Sequence, residues 1–427
     1  MKYTNAVCRL GFCRKTGWIF LYLVMFAVFS ASPVSAIEYI EITNPKFVPL
    51  KVGLLKNARA ELLPLQEVIK ANLEKTLYFQ IIYGTKASFE QAEEISFQLD
   101  LAQKNDSSQL EITLRTPELK KPLSQQSFPL PKQEDLRMLG LQLADWFVEK
   151  TLKFKGVSAS RIAYTAQKAK RRKNIMLSSY DGTLQKRFSY NLGSNNLSSW
   201  SFDSQNIIYT TLTRSSAQLA IQPAIRLRAK IFTFPSGFQP LGASWNPDGK
   251  SILLTLMKKG NADIYSYQLA DAKLERIFAW KSLETSPQVS PDGRKLAFVS
   301  DSARPRRPQI YLHDFLSHKT ERITFRGNYN SSPKWSPDGT KLVYERQKKG
   351  FFQIFKYNLL TRRHLQLTFG RYDSEKPDWS PNGKQLVFSA KKKNGAKLYY
   401  MSSLGGRTVR VTTNPPSISE TNPVWSK

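Results

Sequence analysis

A repeat of about 45 residues constrains the fold of this chain more than any other feature. Four copies contain nearly the same motif: "ASWNPDGK", "PQVSPDGR", "PKWSPDGT" and "PDWSPNGK". The aligned aromatic or valine positions are 44 to 46 residues apart, and they are Trp200, Trp245, Val289, Trp335, Trp379 and Trp425. A fixed period of this length is typical of a β-propeller, in which each repeat forms one four-stranded blade.

The residues within each copy fit that interpretation. The Trp or Val ends a first strand, and the following proline and Asp-Gly pair favour a tight turn because proline presets φ and glycine accepts a positive φ. "TKLVYER" and "KQLVFSA" then alternate apolar and polar residues, as strands packed between blades do. We expect the tryptophans to be wedged between blades and to have no catalytic role. The first blade is expected to carry an extra stretch over 211–230.

The two ends of the repeat region predict how the ring closes. The last copy stops at "NPVWSK", which is one strand, whereas residues 160–191 supply three strands before the first Trp. We therefore predict that the C-terminal strand joins those three and closes a ring of six blades. Closure removes the exposed strand edges that would otherwise favour aggregation.

Residues 37–155 do not repeat and predict a small α/β domain. We predict strands at 47–55 and 77–84 and a hairpin at 95–117. Apolar residues at helical spacing predict helices at 58–77 and 133–152. The predicted fold class is therefore α+β with two domains: an N-terminal α/β domain over 37–155 and an all-β six-bladed propeller over 156–427.

The first 36 residues have the features of a cleaved signal peptide. A basic stretch precedes the apolar run "IFLYLVMFAVFSA" (19–31), and "VSA" (34–36) supplies the small residues that signal peptidase needs. We predict cleavage after Ala36; an uncleaved anchor is the alternative. Both cysteines, Cys8 and Cys13, precede that site, so the mature chain would have no disulfide.

Motifs for catalysis are not evident in the sequence. "GVSAS" (156–160) lacks the closing glycine of a nucleophile elbow, and His313, His318 and His364 have no metal-site spacing around them. The aspartates of the "PDG" motifs are most simply turn formers. We expect no enzyme, no cofactor and no metal.

The chain is strongly basic. It contains 64 lysines and arginines against 33 acidic residues, a formal charge of +31. The predicted loops between second and third strands are all basic: 168–173, Arg226/Arg228/Lys230, 258–259, 304–307, 346–349 and 391–393. We call these loops the cationic rim; its main members are Arg304, Arg306, Arg307, Lys348, Lys349, Lys391, Lys392 and Lys393. The rim is either an ordinary solvated face or a field that steers an acidic partner or an anionic envelope surface. Because the chain is predicted to be exported, we expect no nucleic-acid partner.

The sequence resembles the TolB family of the Tol–Pal envelope system. The resemblance is carried by "IEYIEITNPKFVPLKVGLL" (37–55), "SRIAYTAQ" (160–167) with "SSYDG" (178–182), and the blade at 298–339. It implies a monomeric, non-catalytic periplasmic adaptor that binds the lipoprotein Pal at the propeller and TolA through its mature N-terminus, and that supports outer-membrane integrity and constriction at division. The alternatives are an exported peptidase-like hydrolase and a binder of anionic envelope polymer.

The resemblance also indicates two sets of partner-binding residues. The first set begins the innermost strands and would form a polar tunnel mouth for Pal: Thr285, Ser286, Ser331, Ser332, Glu375, Lys376, Thr421 and Asn422. Alternatively, these residues only end the backbone ladder. The second set is the N-terminal segment for TolA, where alternating residues could add as a strand to a partner sheet or fold back on their own domain: Ile37, Glu38, Tyr39, Ile40, Glu41, Ile42 and Thr43.

Overall fold

A computed structural model describes most of the chain after the predicted signal peptide. The described residues are 39–41, 48–56, 59–85, 88–89, 94–103, 108–116, 121–132, 135–169, 171–191, 193–226, 228–278, 280–393 and 395–427. The predicted signal peptide and Ala36 cleavage site therefore lie outside them, as do Ile37, Glu38, Ile42 and Thr43. The first described strand is β1 (Tyr39–Glu41). Neither described helix is long and apolar enough to cross a bilayer.

A mixed five-stranded sheet with two helices follows β1. The strands lie in the order β3-β2-β4-β5-β6, with β2 parallel to both neighbours and β4, β5 and β6 antiparallel. The elements are β2 (Leu50–Leu55), α1 (Leu63–Lys75) after a 3₁₀ turn (Ala60–Leu62), β3 (Phe79–Gly84), β4 (Phe97–Gln103), β5 (Gln109–Arg115), β6 (Ser124–Pro129) and α2 (Leu136–Leu152). Both predicted helices and the predicted hairpin are present.

The helices form because each has one apolar stripe to bury. In α1, Leu65, Ile69 and Leu73 recur every four residues and are all fully buried. Phe147 of α2 packs edge-on against Phe79, with ring centroids 5.1 Å apart. Strand β6 was not predicted, because "SQQSFP" is polar and mostly exposed and so lacks a buried face.

The propeller begins with three strands, β7 (Arg161–Lys168), β8 (Asn174–Ser179) and β9 (Gln185–Arg187). Blade 1 consists of β10 (Ser194–Trp200), β11 (Asn206–Leu212), β12 (Ala217–Pro223) and β13 (Lys230–Phe232). Blade 2 consists of β14 (Gln239–Trp245), β15 (Ser251–Lys258), β16 (Asn261–Gln268) and β17 (Leu274–Arg276). Blade 3 consists of β18 (Glu284–Val289), β19 (Lys295–Ser300), β20 (Gln309–Asp314) and β21 (Thr320–Arg322).

Blade 4 consists of β22 (Asn330–Trp335), β23 (Lys341–Lys348), β24 (Phe351–Asn358) and β25 (His364–Gln366). Blade 5 consists of β26 (Asp373–Trp379), β27 (Gln385–Lys392), β28 (Gly395–Ser402) and β29 (Thr408–Arg410). The last strand, β30 (Ile418–Trp425), pairs with β7 and completes blade 6 in the order β30-β7-β8-β9. The predicted six-bladed ring closed by the C-terminal strand is confirmed.

Ring closure depends on one antiparallel ladder and one tryptophan. Trp425 lies opposite Ile162, and Thr421 lies opposite Thr165. The Trp425 indole Nε1 also donates to Ser160 Oγ at 2.7 Å. Equivalent indoles reach back to the preceding blade, where Trp335 donates to Gln288 O at 2.9 Å. The tryptophans therefore hold adjacent blades together, as predicted.

Strand direction gives the propeller two distinct faces. Turns between first and second strands, and between third and fourth strands, lie on one face, which we call the turn face. Loops between second and third strands, and the connections between blades, lie on the opposite face, which we call the mouth face. The "PDG" aspartates are on the turn face and form turns as predicted: Asp338 Oδ1 accepts from the Thr340 backbone N–H at 3.0 Å.

The helices of the mixed sheet contact blades 5 and 6. Arg137 of α2 donates through Nη2 to both carboxylate oxygens of Asp181, at 2.9 and 2.8 Å. Burial raises the pKa of Asp181, but hydrogen bonds from Ser179, Thr183 and Arg137 outweigh it and leave the pKa below its usual value. Gln385 Nε2 donates to the Lys75 carbonyl at 2.8 Å. The mixed sheet and the propeller therefore form one compact unit; the boundary at residue 155 stays a prediction.

A candidate partner-binding site at the tunnel mouth

A bulge interrupts the innermost strand of every blade three residues or so before the aligned Trp or Val. In blade 4, for example, the register with β23 shifts between Ser331 and Lys334. In five blades the bulged residue has a left-handed backbone, with φ between 50° and 55°: Leu197, Ser286, Ser332, Lys376 and Asn422. Such a backbone costs a non-glycine residue about 1–3 kcal/mol and is concentrated at functional sites.

Prolines follow four of these left-handed residues: Pro287, Pro333, Pro377 and Pro423. A residue before proline normally prefers an extended backbone, so the arrangement repeats an unfavourable conformation around the ring. In blade 2 the same position is Gly242, which does not have a positive φ. The bulges of the innermost strands therefore form a ring at the mouth of the tunnel.

These bulges enclose a cavity of about 170 Å³, which we call the cup. Five of the eight residues predicted for the tunnel mouth line it: Thr285, Ser286, Ser332, Lys376 and Asn422. The other three, Ser331, Glu375 and Thr421, do not line it. Because the prolines and Leu197 also line it, the cup combines an apolar collar with a few polar groups, which is typical of binding sites.

Glu345 organises one side of the cup and was missed by the sequence analysis. It lies on β23 and accepts hydrogen bonds from Ser331 Oγ at 2.6 Å and Ser332 Oγ at 2.9 Å. It also accepts from the Lys376 backbone N–H at 2.7 Å and from Lys376 Nζ at 3.2 Å. This carboxylate therefore fixes two neighbouring bulges at once.

The surroundings shift the pKa values of two nearby carboxyls, Glu345 and Glu375, in opposite directions. Burial raises the pKa of Glu345, but Lys376 and the hydrogen bonds outweigh it and leave the pKa below its usual value. Burial and the charge of Glu345 raise the pKa of Glu375. One signal in the sequence marks Glu345, because the aligned positions in the other blades hold uncharged residues: Thr165, Thr210, Thr255, Val299 and Ser389.

The predicted N-terminal binding segment is described only at Tyr39–Glu41. These residues form β1, which pairs in parallel with the outer strand of blade 4, Tyr39 opposite His364 and Glu41 opposite Gln366. The segment therefore adds as a fifth strand to a blade edge of its own chain. Its role in binding a partner stays a prediction.

The cationic rim lies on the mouth face in five blades, as the strand order requires. Arg304, Arg306 and Arg307 occupy the loop between β19 and β20, while Lys348 and Lys349 lie at the turn between β23 and β24. Lys391, Lys392 and Lys393 lie at the corresponding loop of blade 5. Lys392 Nζ is 4.5 Å from the ring centroid of Tyr399, a cation–π contact that holds it at the surface.

The blade 1 prediction was wrong. Its loop between second and third strands is 213–216, which contains Arg214, whereas Arg226, Arg228 and Lys230 belong to the connection between β12 and β13 on the turn face. The stretch 211–230 is also not an insertion, because it contains the end of β11, all of β12 and an ordinary turn. Each of the six mouth-face loops still contains a cation.

Metal-binding clusters of three or more His, Cys, Asp or Glu are absent from the residues that the structure describes. His364 is fully buried and its Nδ1 lies 2.8 Å from the Tyr344 hydroxyl. Burial lowers the pKa of His364 to about 3. These contacts are those of a packed core residue.

The fold and the cup together define a closed six-bladed β-propeller with a cavity at the mouth of its central tunnel, joined to a mixed α/β sheet. The family model of the TolB β-propeller domain matches residues 148–427, and the chain belongs to this family. The resemblance found in the sequence is therefore confirmed.

Individual relatives agree with this assignment. The chain is 40% identical over 79 residues to the Tol-Pal system protein TolB of Ruthia magnifica, which is 18% of each chain. It is 40% identical over 72 residues to the protein of the same name from Vesicomyosocius okutanii, 17% of each chain. These alignments thus span less than a fifth of the curated relatives. The crystal structure of TolB from Acinetobacter baumannii superimposes with a TM-score of 0.75 at 22% identity, covering 90% of this chain and 98% of that one.

Proposed function

We propose that this chain is a non-catalytic periplasmic adaptor of the Tol–Pal system that binds Pal at the cup and TolA through its mature N-terminus. In this role it supports outer-membrane integrity and constriction at cell division. Membership of the TolB family supports the system, and the geometry of the tunnel mouth supports the binding mode.

The cup is the single observation that carries the Pal proposal. Its left-handed residues hold backbone and polar side chains in a strained, preformed arrangement, so a partner does not have to order them on binding. Its apolar collar can bury one large side chain of the partner, while Ser286, Ser332 and Asn422 offer hydrogen bonds around it.

Filling the cup tests this proposal without disturbing the fold. Gly242 lines the cup, and the nearest atom to a Cβ added there would be Leu197 Cδ1 at 3.6 Å, an ordinary contact. We expect Gly242→Leu to weaken the affinity for purified Pal by about tenfold or more, since a central interface pocket is blocked.

The matched control adds the same side chain on the opposite face. Ala270 is exposed in a turn of blade 2, so Ala270→Leu should bind Pal like wild type. Both variants should melt at the wild-type temperature. Wild-type affinity in Gly242→Leu, measured by calorimetry, would rule out the cup as the Pal site.

The N-terminal segment is proposed to bind TolA by strand addition. The pairing of β1 with β25 supports this, because it engages the segment through its backbone at a sheet edge. Deleting residues 37–44 of the mature chain should abolish TolA binding and leave the affinity for Pal unchanged. Unchanged TolA binding after the deletion would refute the assignment.

Export by a cleaved signal peptide is part of the same proposal. Mass spectrometry of the protein released from the periplasm should give a chain that begins at Ile37. Retention of residues 1–36 would instead favour the anchored alternative.

A further inference from the structure

Exposed aliphatic side chains recur at one position on the turn face. The position is the second residue of the turn between third and fourth strands, and blades 1 to 5 carry Ile225, Ala270, Leu316, Leu360 and Leu404 there. The four large side chains are 85%, 86%, 91% and 66% exposed for Ile225, Leu316, Leu360 and Leu404. We call these five residues the tips.

The tips are more than scattered surface hydrophobics. Single exposed aliphatic residues are normal in soluble proteins, whereas aliphatic residues that recur at the same turn position of successive blades form a surface feature. The sixth blade has no exposed aliphatic residue at this position. Its equivalent residue is Asp181, which is buried by the contact with Arg137 of α2. The tips are therefore aliphatic on the blades where the turn is exposed, and ionic on the blade that the helices cover.

Positive charge surrounds the tips. The same five turns, 224–229, 269–273, 315–319, 359–363 and 403–407, contain seven lysines and arginines and one acid, Asp271. Asp271 Oδ1 accepts from the Lys273 backbone N–H at 3.1 Å, so part of its hydrogen-bonding capacity serves its own turn. Arg362 pairs with Glu321 at 2.6 Å, but 43% of its side chain stays exposed. The arc formed by these turns is thus both apolar and cationic.

We propose that the turn face binds the surface of a bilayer that contains anionic phospholipids. The aliphatic tips enter the boundary between headgroups and acyl chains, and the flanking lysines and arginines contact the lipid phosphates. This combination of buried apolar side chains and basic residues is what holds peripheral proteins at anionic membranes. The cup opens on the opposite face, so the membrane and a partner at the cup can be bound together.

Vesicle flotation with the full mature chain tests the proposal. Wild type should float with vesicles of phosphatidylcholine mixed with phosphatidylglycerol and stay unbound with phosphatidylcholine alone. High salt should weaken the binding, because the electrostatic part is screened. The tip variant combines Ile225→Ser, Leu316→Ser and Leu360→Ser. Its partition coefficient into the vesicles should be about tenfold or more below that of wild type. All three side chains are exposed, so we expect its melting temperature to equal that of wild type.

Two control variants locate the membrane-binding face. One removes exposed apolar residues elsewhere and should float like wild type: Leu123→Ser, Leu212→Ser and Leu283→Ser. The other neutralises the mouth face and should also float: Lys348→Gln, Lys349→Gln, Lys391→Gln and Lys392→Gln. Full binding by the tip variant, or no wild-type binding to any vesicle, would overturn the proposal. Neither result would bear on Pal binding, which is measured with soluble protein.

Discussion

Replacing Glu345 with glutamine should destabilise the propeller more than any other isosteric change at the cup. Glutamine keeps the shape of the side chain but removes its charge and one acceptor oxygen. Glu345 accepts four hydrogen bonds from three residues, Ser331, Ser332 and Lys376. At least one donor of this set would lose its partner inside the protein.

The contacts give the size of the effect. Only 4% of the Glu345 side chain is exposed, and removing one partner of a buried ion pair costs about 3–5 kcal/mol. The Lys376 side chain is 37% exposed, so water in the cup can solvate the ammonium that is left behind. We therefore expect a loss of about 2–3 kcal/mol in the free energy of unfolding, with the remainder offset by that solvation.

The pH dependence gives an independent check. The folded pKa of Glu345 lies below its usual value, so its contribution is present above the unfolded pKa and is lost as the pH falls through the folded pKa. Glu345→Gln should therefore be less stable than wild type at pH 7, and the difference should shrink as the pH falls below about 4.5, the usual pKa of a glutamate.

Glu375→Gln is the matched control for this measurement. The folded pKa of Glu375 is raised, so the ionised form is destabilised in the folded protein, and glutamine should leave stability unchanged or increase it at pH 7. Urea denaturation of the three proteins at pH 7 and pH 4 decides the matter. If Glu345→Gln unfolds at the wild-type urea concentration at pH 7, the hydrogen-bonded carboxylate does not stabilise the bulges.

Three further predictions test closure, the rim and the core. Deleting residues 422–427 removes Trp425 and the end of the closing ladder. We expect the free energy of unfolding to fall by about 3–5 kcal/mol or more, or the protein to be insoluble. A truncated chain that melts at the wild-type temperature would contradict the closure. Neutralising the rim should slow Pal association about tenfold at low salt and leave the dissociation rate unchanged. At high salt the association rates of the variant and the wild type should become equal. Equal association rates at low salt would show that the rim is only a solvated face. That variant changes the following residues to Gln: Arg304, Arg306, Arg307, Lys348, Lys349, Lys391, Lys392 and Lys393. The folded pKa of His364 is about 3, so below about pH 6.5 the unfolded chain binds a proton there that the folded chain does not. The free energy of unfolding of the wild type should therefore fall as the pH drops below 6.5, and that of His364→Gln should fall less steeply. An identical pH profile for the two proteins would show that His364 is not involved.

The number of blades, the positions of their repeats and the strand that closes the ring can all be predicted from the sequence. These features follow from local signals, since each turn depends on its own Pro-Asp-Gly residues and each strand on its own alternation. The closing of blade 6 by β30 required only the count of strands at the two ends. Local signals are misleading where they are weak. Strand β6 is polar, and the turn "TRSS" (213–216) is a hairpin without glycine or proline, so the sequence pattern places the mouth-face loop in the charged stretch that follows.

The side chains that meet at the candidate functional surfaces could not be predicted, because they come from distant parts of the chain. Glu345 and Lys376 are 31 residues apart and belong to different blades, so nothing local to either predicts that one carboxylate fixes two bulges. The left-handed backbones of Ser332 and Lys376 are likewise unfavourable locally and persist because packing around the ring over-determines them. The tips form a surface for the same reason: five turns separated by some 45 residues reach one face only because the blades are arranged around an axis.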